Sequence, residues 1–192
     1  MKNFLRLLSP LPLAAALLMT ACAGPGTTAS THSNALPSLI VERLSWMDEV
    51  AQVKQARSLP VTDAKREAEL LVAMEKLGTE AGLPASAVRA FFVGQIDAAK
   101  NYQKEWLEAH SSSRQASSTA TLPDLAKTVR PALDGISTKM IVALAKARRP
   151  AKDDTLPQIV GAARAELTRA GYSKAVIAPA IRGLETGLGM DR

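Results

Sequence analysis

An all-α bundle of about six helices is the fold this sequence predicts, and three observations predict it. Apolar residues recur at steps of three and four, and no stretch alternates as a strand would. Aromatic residues are only 4% of the 192 residues, and Ala and Leu outweigh the β-branched types, a balance that favours helix. Pro, Gly and Ser/Thr clusters cut the chain into segments of helical length, with no internal repeat. At 47% hydrophobic and 22% charged residues, the chain can build a real core.

The first helix is expected from about Pro37 to Ser58, stopping at Leu59-Pro60. The second starts near Thr62, read as the N-cap with Asp63 in the first turn, and ends at Gly82. The third opens after Pro84 and runs to about His110, followed by a Ser/Thr-rich loop over residues 111–121. The fourth runs from near Pro123 to before Pro150; Pro131 either kinks it or marks its true start. Two shorter helices, about 156–170 and 174–187, flank Gly171.

Residues 1–21 (MKNFLRLLSPLPLAAALLMTA) read as a bacterial export signal, with Lys2 and Arg6 ahead of an apolar stretch too short to span a membrane stably. Met19-Thr20-Ala21-Cys22 resembles a lipobox, which would make Cys22 a lipidated first residue and a lipid anchor in the cell envelope. Ordinary cleavage after Ala23 also fits and gives a periplasmic or secreted protein. Residues 22–35 form a small, polar tether, which leaves residues 36–192 as one helical domain. The formal net charge of +6 drops to +4 without the signal, because Lys2 and Arg6 leave 22 basic against 18 acidic residues. That excess is spread along the chain, so a small anionic ligand is the expected partner and nucleic acid is not. A single cysteine excludes an intrachain disulfide and a Cys-rich metal site. His32 and His110 lie in polar segments and are expected to be solvated, which disfavours metal hydrolysis and Ser-His-Asp chemistry.

The informative residues are polar ones on apolar stripes. Positions 40, 43, 47, 50 and 54 share one helical face and read Ile, Arg, Met, Val, Lys. Arg43 and Lys54 then point the same way, about 16 Å apart. On the second helix Asp63, Arg66, Leu70, Met74 and Leu77 share a face, with Glu67 beside Arg66. Gln103 interrupts the seam Ile96, Ala99, Trp106 on the third, and Arg130 precedes Leu133, Ser137, Met140 and Leu144 on the fourth. Cations facing a core are costly unless paired. With few acids to match, Arg43, Lys54, Arg66 and Arg130 imply a missing anion, unless each side chain snorkels to water.

The stretch RLSWMDEVAQVKQARSLPVTDAKREAELL, with Arg43, Lys54, Asp63 and Arg66 at fixed offsets, resembles the all-helical (type II) chorismate mutase family. FFVGQIDAAKNYQKEWL resembles that family's long helix and places Gln103 as its last catalytic side chain. PDLAKTVRPALDGISTKMIVAL resembles the later helix of the secreted, gamma-type subclass, whose arginine would be Arg130. The resemblance covers about residues 36–145, and the export signal agrees with it. It departs at Ala99, one turn before Gln103, where the family usually offers a small polar side chain.

The resemblance implies a cofactor-free rearrangement of chorismate to prephenate, an isomerase step of aromatic amino acid synthesis, and suggests a homodimer. It implies that Arg43 and Arg130 hold the two carboxylates, with Arg66 assisting. Lys54 and Gln103 then donate to the ether oxygen, Glu67 accepts from the ring hydroxyl, and Asp63 orients Arg66. Arginine suits carboxylates because its guanidinium grips them bidentately. Gly183, Gly187 and Gly189 are no phosphate loop, since no strand precedes them. Two other readings stay open: a non-catalytic helical lipoprotein that binds a small dicarboxylate, and a structural envelope protein with an exposed apolar patch and no interior cations.

Overall fold

A computed structural model of the chain describes residues 35–111, 122–149 and 155–190. The expected export signal, Cys22, His32, Pro150 and nearly all of the tether and the Ser/Thr-rich loop lie outside these residues. The described segments are helical and contain no strand: α1 Leu36–Ser45, α2 Met47–Ala56, α3 Ala64–Glu80, α4 Ala85–Ala109, α5 Arg130–Arg148, α6 Thr155–Arg169 and α7 Lys174–Leu188. The bundle is therefore of the expected class, and its boundaries correct three details.

The first expected helix is α1 and α2, divided at Trp46, which keeps right-handed helical dihedrals (φ −72°, ψ −7°). The N-cap of α3 is Asp63, not Thr62: its carboxylate accepts from the Arg66 amide at 3.1 Å, and Glu67 accepts in return from the Asp63 amide at 3.3 Å. The fourth expected helix opens as a π-helical turn, Leu125–Val129, capped by Asp124; Pro131 then sits in the first turn of α5, where it needs no amide partner. Gly82 ends α3 with φ +81°, the left-handed conformation expected of it.

Fully buried side chains come from every helix but α3: Leu36, Ile40 and Leu44 of α1, Phe91 and Phe92 of α4, Met140 and Leu144 of α5, Leu167 of α6, Ile181 and Leu184 of α7. α2 adds Val53, and α3 joins through Leu70 and Met74. Helices α4 and α7 meet backbone to backbone. A Cβ on Gly94 would lie 2.5 Å from the Pro179 carbonyl oxygen and 2.7 Å from the Gly183 Cα. Pro179 lies inside α7 and cannot donate to the carbonyl of Ala175, four residues back. The Asn101 side chain of α4 donates to that carbonyl instead, at 2.8 Å. Gln95, fully buried, donates from its amide to the Ala180 carbonyl at 3.2 Å.

This contact carries a prediction. Gly94→Ala forces two backbones apart, so it should destabilise the fold by at least about 1–3 kcal/mol, the usual range for overpacking. Gly161→Ala in α6, where a Cβ meets nothing within 4 Å, should hold or raise stability because Ala is the better helix former. Thermal unfolding of both variants checks it; equal midpoints would show that α4 and α7 are not in close contact.

Candidate active site

The seven residues singled out in the sequence arrive from five successive helices and line one cavity of about 120 Å³. Arg43 stands in the last turn of α1, Lys54 in the last turn of α2, and Asp63, Arg66 and Glu67 at the start of α3. Gln103 comes from the C-terminal half of α4, and Arg130 opens α5. Met47, Val50, Leu70, Ile96, Val129 and Leu133 form apolar walls between them.

Arg43 is the most deeply placed cation, 5% exposed. One Nη donates to the Gln95 backbone carbonyl at 3.2 Å, while its Nε is buried with no partner. Burial pushes its pKa down to about 10; Asp134 opposes that shift and Arg66 adds to it. Arg43 therefore remains a cation at neutral pH without a carboxylate bonded to it. Lys54 donates to the Val61 carbonyl at 2.5 Å, which ties the end of α2 to the loop before α3. Burial lowers its pKa as well; Asp63 and Glu67 work against that, and Arg130 works with it.

Arg66 and Arg130 are paired. Arg66 donates to the carboxylate of Asp134 on α5, and Arg130 donates to Asp63 at 3.1 Å. Asp63 thus caps α3 with one oxygen and holds Arg130 with the other. The expectation that few acids match these cations holds for Arg43 and Lys54 and is corrected for Arg66 and Arg130. Glu67 accepts from Lys100 of α4 at 3.3 Å in addition to the Asp63 amide. Gln103 is 4% exposed, its Nε2 reaches only the Met47 sulfur at 3.5 Å, and its Oε1 is buried without a partner. A thioether is a weak acceptor, so the amide has donor capacity to spare.

Two charged lining residues escaped the sequence analysis, Lys100 and Asp134, as did the Gln95 backbone carbonyl that holds Arg43 from behind the lining. The signal for the side chains was present, because Lys100 lies three residues before Gln103 and Asp134 four after Arg130, each on the same helical face. Ala99 lines the cavity as expected and offers no polar group there, whereas Ser137 of α5 does. In total, five cations (Arg43, Lys54, Arg66, Lys100, Arg130) and three carboxylates (Asp63, Glu67, Asp134) line the cavity, an excess of two positive charges in the lining, with Lys100 also paired to Asp97 outside it at 3.2 Å. No cluster of three or more His, Cys, Asp or Glu is placed to hold a metal among the described residues.

Fold and site together define an all-α bundle with an interior cationic pocket. Residues 33–104 match the family model described as chorismate mutase type II. A secreted chorismate mutase of Yersinia pestis is 29% identical over 118 residues, 59% of this chain; the match spans 60% of that protein's length. Among solved structures, a chorismate mutase of Burkholderia thailandensis is 29% identical with a TM-score of 0.65, covering 81% of this chain and 96% of that one. One from Burkholderia phymatum is 24% identical (TM-score 0.65, 81% and 93% covered), and the secreted Yersinia pestis one is 23% identical (TM-score 0.62, 81% and 95%); these two share the fold. Residues 33–104 are thus similar to the type II chorismate mutase family, and the chain shares the all-helical fold of the solved chorismate mutases.

Proposed function

We propose that the cavity binds chorismate and rearranges it to prephenate, without a cofactor, outside the cytoplasm. The observation that carries this reading is the excess of two cationic charges within apolar walls, which matches a compact dianion in charge and in the need to exclude water. Breaking the C–O bond as the C–C bond forms requires no nucleophile and no proton transfer. It requires the reacting ends held together and charge stabilised where it develops.

Arg43 and Arg130 take the two carboxylates, with Arg66 assisting. Arg43 has an unpartnered Nε for this. Lys54 and the Gln103 amide donate to the ether oxygen as it gains negative charge. Glu67 accepts from the ring hydroxyl; its two present bonds leave lone pairs free. Asp63 holds Arg130 and the first turn of α3.

The test is chorismate disappearance with purified residues 24–192. Turnover that depends on the protein supports the mutase; tight binding of chorismate without turnover replaces it with the dicarboxylate-binding reading. Export is supported by the charged and apolar pattern of residues 1–21, and no helix among the described residues is long and apolar enough to cross a membrane. A lipid anchor on Cys22 is the membrane attachment that the lipobox-like residues 19–22 support. Labelled fatty acid should enter the wild-type chain and be lost in Cys22→Ser. Absence of label from both leaves a periplasmic or secreted enzyme cleaved in the ordinary way.

A further inference from the structure

We infer that Asp134 sets the affinity of the cavity for its substrate: it is a built-in carboxylate that occupies Arg66 in the empty site and yields it when a carboxylate ligand enters. The inference rests on the chorismate reading of the same cavity. Two of the arginines there already carry protein carboxylates, Arg66 that of Asp134 and Arg130 that of Asp63. These bonds are of the kind each arginine would make to a ligand. An incoming dianion therefore competes with the protein's own acids.

The two acids are not equally free to leave. Asp63 is fixed from two sides: its other carboxylate oxygen caps α3 at the Arg66 amide, and its own amide is held by Glu67. The carboxylate of Asp134 bonds to Arg66 alone, and its side chain is 44% exposed at the cavity edge. Its backbone is anchored separately, within α5 and through Thr138, whose hydroxyl donates to its carbonyl. One rotamer change takes the Asp134 carboxylate to water at little desolvation cost, which the Asp63 carboxylate cannot match without uncapping α3. Asp134 also favours the cationic form of Arg43, so it tempers the field at the deepest arginine as well. Removing its charge raises the cationic excess that a ligand meets.

Asp134→Asn keeps the shape and removes the charge. The expected result is a KM for chorismate lower by about threefold or more, the scale of a partly exposed ion pair, with kcat/KM raised. Asp134→Glu should restore the wild-type KM. A residue that merely positions Arg66 predicts the opposite, a raised KM and a lowered kcat/KM, and that outcome overturns the inference. Calorimetric titration with succinate provides a measure independent of turnover. Tighter succinate binding by Asp134→Asn supports the competing-carboxylate role even if the wild type proves inactive on chorismate, in which case only the mutase reading is lost. Equal or weaker binding by the variant overturns the role of Asp134 while leaving the mutase reading to its own assay.

Discussion

Lys54→Ala lowers kcat by at least about 10²-fold, the expected cost of removing one preorganised donor from a water-poor site. On the proposed mechanism the charge of Lys54 matters most as the ether oxygen becomes negative, so kcat should fall more than KM rises. The helix tolerates the change, since Ala favours helix and Lys54 stands in the last turn of α2. The wild-type pH profile gives a second check. The active form is the ammonium, and burial holds its pKa below the ordinary lysine value. Activity should therefore be present at neutral pH and be lost on the alkaline side, beginning at lower pH than an ordinary lysine would allow. A bound dianion pulls that limb back up, so it should appear earlier in kcat/KM than in kcat. A folded Lys54→Ala protein with near-wild-type turnover would remove Lys54 from the mechanism.

Gln103→Glu should make activity strongly pH-dependent where the wild type is flat. An amide donates at every pH, so wild-type kcat is expected to be nearly constant from about pH 5 to pH 8, well below the titration of lysine. A glutamate at this position donates only while protonated. Burial favours the protonated form, and the neighbouring cations favour the ionised one. Turnover of the variant should fall as pH rises through the new group's pKa, because the ionised carboxylate repels the developing negative charge. In the structure the Gln103 amide has only a sulfur contact at 3.5 Å, which is a poor reason to place an amide in a buried seam. If the kcat profiles of the two proteins have the same shape, Gln103 does not reach the reacting oxygen and its catalytic role is wrong.

The helices were legible because helix formation and burial leave a local record. The stripe of Arg43, Met47, Val50 and Lys54 and the stripe of Arg66, Leu70 and Met74 each repeat within four residues, so the face they share follows from 3.6 residues per turn. The break at Trp46 and the π-helical turn at Leu125–Val129 left no such record. The break at Trp46 carries no Pro or Gly, and Pro123 and Pro131 on either side of the turn mark a helix start without distinguishing a π-helical turn from an α-helical one. Asp63 and Thr62 are both good N-caps by type, and the choice fell to the residue whose carboxylate also meets Arg130, 67 residues away.

By itself, the sequence determined the fold class, the cationic character of the interior and the identity of the seven candidate residues, because residue type and helical spacing carry that information. The tertiary structure decided the pairing. That Arg66 meets Asp134, that Arg130 meets Asp63, and that Arg43 and Lys54 are left with backbone carbonyls depends on how α1, α2, α3 and α5 are docked. The same holds for α4 and α7, where the carbonyl freed by Pro179 finds Asn101, 74 residues from Ala175, because two glycines let the backbones touch. Ion pairs and close backbone contacts between distant segments follow from the packing of whole helices, and no local period in the chain records them.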